Sequence, residues 1–144
     1  MAQMVDISEK PQVQRTAIAS GRIIVNPETV RKIKAGEIPK GDVLTVAQTA
    51  AILAVKRTPE LIPLTHPIPI TGVDVNFDLG DDDVAVRVKV RSIGQTGVEM
   101  EALTGVAAAL LTVWDMVKGL EKDEAGQYPT TRITDIKVEQ KVKR

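Results

Sequence analysis

The sequence predicts a single α+β domain in which two long helices pack on a largely antiparallel β-sheet. Three observations support this prediction. Apolar residues recur at helical spacing in two stretches, two neighbouring segments alternate apolar and polar residues across a tight turn, and 144 residues suffice for one core but not for two ordinary ones. Hydrophobic residues make up 43% of the chain and charged residues 26%, which is typical of a folded globular protein.

The N-terminal segment differs from the remainder of the chain. Its first 20 residues mix charged, polar and proline residues without a sustained period. A segment of this kind is typical of a mobile arm. We therefore predict an N-terminal arm over residues 1–20 and a single α+β domain over residues 21–144.

The domain is expected to begin with a strand and a helix. The run from Arg22 to Val25 is rich in β-branched residues, which predicts a short strand. Asn26 and Pro27 stop this strand and are favoured residues at the start of a helix. Gly36 is expected to end that helix.

The first long helix is predicted after Asp42, which is a favourable N-cap residue. Small apolar residues recur at helical spacing from Val43 to Ala54, and the helix should end near Arg57. The segment 61–69 contains three prolines, which exclude both a continuous helix and a central strand. We therefore predict an apolar but irregular loop there.

A β-hairpin is the clearest local pattern in the sequence. Apolar and polar residues alternate from Val73 to Leu79 and again from Val84 to Arg91, on either side of an aspartate-rich turn. The second long helix is predicted over 96–122, where its helical spacing predicts burial of apolar residues that include Met100 and Leu111. A final strand over 133–138 leads into a basic tail. This order of elements predicts a ferredoxin-like arrangement.

Composition excludes several classes of site and partner. The chain has no cysteine, which rules out disulfides, thiolate metal sites and cysteine nucleophiles. Its formal net charge is zero and aromatic residues are only 2%, so neither nucleic acid nor an anionic membrane is an expected partner. No apolar run approaches the roughly twenty residues of a membrane span, and the N-terminus lacks the pattern of a secretory signal. We expect a cytoplasmic protein without a cofactor or a bound metal.

The second long helix carries the clearest candidate for chemistry. Asp115 and Lys118 lie three residues apart on one face of an otherwise apolar stretch. They form either a surface ion pair, which stabilises a helix by a few tenths of a kcal/mol, or an acid and base that tune each other. The spacing alone leaves both interpretations open.

Other candidates carry similar alternatives. His66 is the only histidine and lies between prolines, where it would bind phosphate, shuttle a proton or simply satisfy loop carbonyls. Lys56 would interact favourably with the carboxyl end of its helix, and Lys40 is equally typical of a solvated loop. Glu99 and Glu101 lie in the first turn of the long helix, where carboxylates are favoured in any case.

Six motifs together resemble the cyclic pyranopterin monophosphate synthase family (molybdenum cofactor biosynthesis protein C). They occur in the family's order and cover nearly the whole chain: MVDIS (4–8), KGDVL (40–44), AVKRT (54–58), LIPLTHP (61–67), TGVEMEALT (96–104) and WDMVK (114–118). Each motif is weak alone, but the combination is specific.

The resemblance implies a ferredoxin-like subunit in a homohexamer, a trimer of dimers whose active sites lie at a dimer interface. It implies a lyase that converts 3′,8-cyclo-7,8-dihydroguanosine 5′-triphosphate to cyclic pyranopterin monophosphate and releases pyrophosphate. Residues 21–144 would then be the catalytic domain. The matched positions imply catalytic roles for Asp115, Lys118, Lys56 and His66. They imply substrate-binding roles for Lys40, Glu99, Met100, Glu101, Lys141, Asp6 and Arg15.

The sequence departs from the family pattern at two places. Thr65 stands where the family commonly has cysteine before the histidine, and the histidine itself is retained. A glycine-rich C-terminal segment is absent, and Lys141 is the best match to its first lysine, with Lys143 able to reach the same phosphate. A non-catalytic guanine-nucleotide-binding module and a purely structural oligomerisation domain are the alternative interpretations.

Overall fold

The computed structural model describes residues 1–144 as an α+β domain with four strands and four helices. The sheet is antiparallel throughout, with strand order β2-β3-β1-β4. The predicted α+β class is therefore confirmed. In chain order the elements are β1 (Val13–Ile24), α1 (Pro27–Ala35), α2 (Val43–Lys56), α3 (Thr58–Leu61), β2 (Ile70–Leu79), β3 (Asp83–Gly94), α4 (Glu99–Glu121) and β4 (Arg132–Lys143).

The core lies between one face of the sheet and helices α2 and α4. Alternate residues of β1 and β3 point towards the helices because side chains of a strand alternate between its faces. Helix α4 packs on both the sheet and α2, with Val106 and Leu110 fully buried. The strand residues that form this face are Ala17, Ala19, Ile23, Val84, Val86, Val88 and Val90.

Local signals place most helix ends where the sequence predicts them. Asp42 caps α2 by accepting a hydrogen bond from the backbone N–H of Thr45 at 3.1 Å. Gly36 ends α1 in the left-handed conformation, with φ of 71°, which glycine adopts without a steric penalty. Asn26 holds the N-cap position of α1, although its side chain makes no capping hydrogen bond.

Two strands are longer than the sequence predicts. Strand β1 begins at Val13, well before Arg22, and β4 continues through the basic tail to Lys143. Pairing explains both differences, since Val13 is opposite Gly94 of β3 and Arg15 is opposite Lys143. Cross-strand partners are distant in sequence, so local composition does not reveal them.

Helix α4 exposes apolar side chains that were predicted to be buried. Met100 has a relative exposure of 37% and Leu111 of 59%. The prediction was wrong because the helix is apolar around most of its circumference, whereas the sheet and α2 cover only part of it. By length and composition alone α4 would also suit a membrane span, but half of its apolar window is buried inside the domain.

A buried carboxylate ties the end of α4 to the start of α1. Glu121 is 3% exposed and accepts hydrogen bonds from the backbone N–H of Asn26 and from the hydroxyls of Thr29 and Thr131. Each oxygen therefore has partners, which a buried carboxylate requires. The network joins β1, α1, α4 and β4 at one corner of the domain.

Two glycines should respond in opposite ways to alanine. A Cβ at Gly21 would lie 2.9 Å from Val106 Cγ1, and a Cβ at Gly119 would meet nothing within 4 Å. Gly21→Ala should lower the free energy of unfolding by about 1–3 kcal/mol through overpacking. Gly119→Ala should raise it by about 0.5–1 kcal/mol by reducing backbone entropy in the unfolded chain. Urea unfolding followed by circular dichroism measures both, and equal effects would contradict the packing described here.

Candidate active site

One cluster of charged side chains forms at the carboxyl-terminal end of α4. Lys118 Nζ lies 3.0 Å from Asp115 Oδ1, and Lys40 Nζ lies 3.1 Å from Asp115 Oδ2. Lys40 also donates to the backbone carbonyl of Asp115 at 3.1 Å. The carboxylate thus has one ammonium group on each oxygen, and all three side chains are about half exposed.

The ion pairs of the cluster shift the pKa values of Asp115 and Lys118. The hydrogen bond from Lys118, followed by that from Lys40, lowers the pKa of Asp115 below its usual value. The hydrogen bond to Asp115 raises the pKa of Lys118. At neutral pH the site therefore presents a carboxylate acceptor between two ammonium donors, open to solvent on one side.

Two separate elements build this cluster. Asp115 and Lys118 lie one turn apart on α4, at the i and i+3 spacing that brings side chains together. Lys40 comes from the connection between α1 and α2, where Gly41 has a φ of 119° that favours glycine. The structure thus adds to the Asp115 and Lys118 pair a third residue that lies 75 positions away from Asp115.

A second group of predicted residues lies at the other end of α4. A cavity of about 270 Å³ is lined by His66 from the proline-rich loop and by the start of the helix. Its lining includes Glu99, Met100, Glu101, Thr65 and Val5.

The carboxylates of this second group are in unlike surroundings. Glu101 is 3% exposed, and burial followed by the nearby charge of Glu99 raises the pKa of its carboxyl group. Glu99 Oε1 lies 3.3 Å from Lys141 Nζ, while its Oε2 is buried without a hydrogen-bond partner. A buried acceptor without a donor is unfavourable, so this oxygen is open to a donor from a ligand.

Arg15 and Asp6 also lie at this end of the domain. Arg15 donates to the backbone carbonyl of Gly94 at 3.1 Å and lines a second cavity, of about 250 Å³, together with Lys141 and Lys143. Hydrogen bonds from Ser8 hold the pKa of Asp6 below its usual value, and the charge of His66 acts in the same direction. The N-terminal segment therefore lies close to the histidine.

Lys56 is the one predicted residue outside both groups. It is the last residue of α2, is exposed, and forms no ion pair. The neighbouring Val55 packs against Gly105 near the start of α4, so Lys56 lies on the side of the second group. It lines neither of the two cavities.

The two groups are far apart within one chain. Glu101 and Asp115 are 14 positions apart on the same helix, which is about 21 Å at a rise of about 1.5 Å per residue. Side chains at the two ends of α4 therefore do not converge on one reacting atom within a subunit. Apart from Lys56, the predicted site residues therefore form two separate groups, or half-sites, in the subunit.

Three residues near these half-sites were not singled out from the sequence. Ser92 has a buried hydroxyl without a partner, Glu121 organises the corner beyond Lys118, and Tyr128 packs against Trp114. Of the three, only Glu121 could have been noticed in the sequence, because it is an acidic residue at the end of an apolar helix. The surroundings of Ser92 and Tyr128 are known only from the three-dimensional positions of the strands and loops.

Comparisons with known proteins identify the relatives of this chain. The MoaC family model matches residues 4–143. A protein of Pyrococcus horikoshii is 64% identical over 140 residues, covering 97% of this chain and 88% of its own. One from Methanococcoides burtonii is 62% identical over 142 residues, covering 99% and 89%, and one from Thermococcus kodakarensis is 61% identical over 140 residues, covering 97% and 90%. All three are described as probable cyclic pyranopterin monophosphate synthases.

Removing the ammonium group of Lys40 should change the pKa of Asp115 measurably. In Lys40→Met, the pKa of Asp115 should rise towards its usual value but stay below it, because Lys118 makes the larger contribution. The carboxylate becomes protonated as pH falls through its pKa. In the variant, any activity that needs the carboxylate should therefore begin to fall at a higher pH than in the wild type. Carboxyl ¹³C NMR titration measures the shift, with Lys32→Met as the control. An unchanged Asp115 titration would show that Lys40 is not held in this pair.

Proposed function

The chain belongs to the MoaC family, and on that premise we propose that the Asp115, Lys118 and Lys40 cluster is the centre of its active site. The protein catalyses the synthesis of cyclic pyranopterin monophosphate, a lyase-type step of molybdenum cofactor biosynthesis. Its substrate is the cyclised guanosine triphosphate derivative 3′,8-cyclo-7,8-dihydroguanosine 5′-triphosphate, and pyrophosphate is the second product. The observation that carries the proposal is a carboxylate held between two ammonium groups in a solvent-open position.

The charges of the cluster suit successive proton transfers. Opening the purine-derived ring and closing the pterin ring require protons to be removed from some atoms and delivered to others. Asp115, kept as a carboxylate by its two lysines, accepts a proton. Lys118, kept as an ammonium by Asp115, donates one. The two residues can exchange these roles because they are in direct contact.

The same lysines suit the phosphoryl step. A ribose-derived hydroxyl attacks the α-phosphorus, the bond from that phosphorus to the bridging oxygen breaks, and pyrophosphate leaves with the electron pair. Negative charge builds up on the leaving group, and ammonium groups close to it stabilise the transition state. Lys40 and Lys118 supply such groups locally although the net charge of the chain is zero.

We propose that the second half-site comes from another subunit. Glu101 lies about 21 Å along α4 from Asp115, and His66, Glu99 and Met100 lie at the same far end, too far to complete the same site. A two-fold axis crossing α4 near Ala107 would bring the start of one helix beside the end of its partner. Two copies would then form two complete sites, each with Asp115 from one chain and Glu101 from the other.

The exposed apolar residues of α4 support this pairing. Met100, Leu111 and Asp115 share one face of the helix, since their spacings of eleven and four residues are near whole turns. The two apolar residues are among the most exposed of the helix, and Ala107 and Ala108 between them are small enough for close approach. A second copy would cover these side chains, which a monomer leaves in water.

Larger features follow as parts of the same proposal. The order of elements and the strand order β2-β3-β1-β4 support a ferredoxin-like fold with α2 and α4 as its two long helices. Dimers of this kind would assemble into a hexamer, as the family resemblance implies, in the cytoplasm. Of the predicted arm, residues 1–12 precede β1 and would be its mobile part, with Asp6 close to His66. Arg15 on β1 and Lys141 on β4 would hold phosphate.

Turnover of the cyclised triphosphate tests this function. Asp115→Asn and Lys118→Ala should each lower kcat by about 10²- to 10⁴-fold, because each removes a proton-transfer group. Pyrophosphate release and pterin fluorescence after oxidation measure the rate. Asp78→Asn changes a carboxylate on β2 that makes no ion pair and serves as the matched control.

Other results of this experiment would assign the residues differently. Tight binding of the substrate by the wild-type protein without any product would indicate a non-catalytic nucleotide-binding module. Loss of the folded oligomer in both variants would assign Asp115 and Lys118 to structure. Full turnover in Asp115→Asn would contradict the proposed centre of the site.

A further inference from the structure

Two of the three aromatic residues of the chain lie beside the Asp115 cluster. The only tyrosine, Tyr128, packs edge-on against the only tryptophan, Trp114, with ring centroids 5.2 Å apart and an interplanar angle of 70°. Edge-to-face contacts of this kind are favourable beyond the area that they bury. The third aromatic residue, Phe77, lies on β2 and packs against the core. The aromatic pair is therefore confined to one corner of the domain.

The pair lies next to the Lys118 side chain. Trp114 immediately precedes Asp115 and is four residues before Lys118, a spacing that makes helix side chains neighbours. Lys118 thus has the Asp115 carboxylate on one flank and the aromatic pair on the other. The pKa of Lys118 agrees with this placement: it is raised mainly by Asp115, and Tyr128 contributes in the same direction.

The loop that carries Tyr128 is held at both ends. Asp123 Oδ1 accepts hydrogen bonds from the backbone N–H groups of Ala125 and Gln127, each at 2.9 Å. At the far end, the hydroxyl of Thr131 donates to the buried Glu121 at 2.7 Å. These bonds fix the path of the chain between α4 and β4. The constrained loop therefore holds the ring of Tyr128 against Trp114.

We propose that Tyr128 is a positioning residue for the reaction, which it serves by confining the Lys118 side chain to the orientation that meets Asp115 and the substrate. A lysine has a long, flexible stem, and a half-exposed one samples many rotamers unless its neighbours restrict it. The ring of Tyr128 supplies that restriction through Trp114. This inference rests on the proposed function, in which Lys118 donates a proton and stabilises phosphate charge.

The ring and the hydroxyl can be separated by substitution. Tyr128→Phe retains the ring and should keep kcat within about twofold of the wild-type value. Tyr128→Ala removes the contact and should lower kcat about tenfold or more, with a smaller change in KM, because a misplaced group acts chiefly in the transition state. Phe77→Ala, which removes the other half-buried aromatic residue, should lower the Tm but leave kcat of the folded enzyme unchanged.

A second readout does not depend on turnover. The NMR order parameter of the Lys118 Cε group should fall in Tyr128→Ala and be retained in Tyr128→Phe. Emission from Trp114, the only tryptophan, should shift to the red in the alanine variant alone and thereby report loss of the ring contact. If the wild-type enzyme is inactive but these signals behave as stated, the proposed function fails and the confinement of Lys118 stands. An unchanged order parameter, or equal kcat in Tyr128→Ala and the wild type, would overturn the inference.

Discussion

The rigidity of helix α4 is the constraint on which the remaining structure depends. Its 23 residues form one continuous helix, and it packs on the sheet and on α2 at the same time. Val106 and Leu110 are fully buried at its centre, and Gly105 allows close contact with Val55 and Val88. A helix clamped on two sides cannot bend to bring its ends together. The separation between Glu101 and Asp115 is therefore a fixed property of the subunit.

Electrostatics in this domain is organised locally and not through net charge. The chain has 19 basic and 19 acidic residues, yet the end of α4 places Lys40 and Lys118 around a single carboxylate. The opposite end buries Glu101 and leaves one oxygen of Glu99 without a donor. Arg15, Lys141 and Lys143 also lie at that end, so both ends of α4 carry charged groups. Two antiparallel copies of α4 would bring the two sets of charges together.

Local patterns in the sequence predicted much of the fold. The apolar and polar alternation on either side of residues 80–83 predicted the hairpin of β2 and β3. Asp42 marked the start of α2 through its capping side chain, and Gly36 marked the end of α1 through its left-handed backbone. The full lengths of β1 and β4 were not predictable in this way. They depend on partners such as Gly94 for Val13, which lie far away in the chain.

The sequence named the candidate residues of the site but could not give their arrangement. Motif spacing named Asp115 and Lys118, and their ion pair is observed at 3.0 Å. Spacing could not show that Lys40 completes the pair or that His66 and Glu101 lie at the far end of the same helix. Nor could it reveal the contact between Trp114 and Tyr128, because a loop of unpredicted path brings the two rings together.

Mixing two inactive variants tests the central claim, that a complete site takes its half-sites from two subunits. Asp115→Asn damages one half-site and Glu101→Gln the other, so each variant alone should be inactive with the cyclised triphosphate. Random reassociation of equal amounts should restore about a quarter of the wild-type activity, since half of the dimers are mixed and each mixed dimer has one intact site of two. A mixture as inactive as its components, with mixed dimers demonstrated by mass spectrometry, would mean that each subunit holds its own site and would contradict this account.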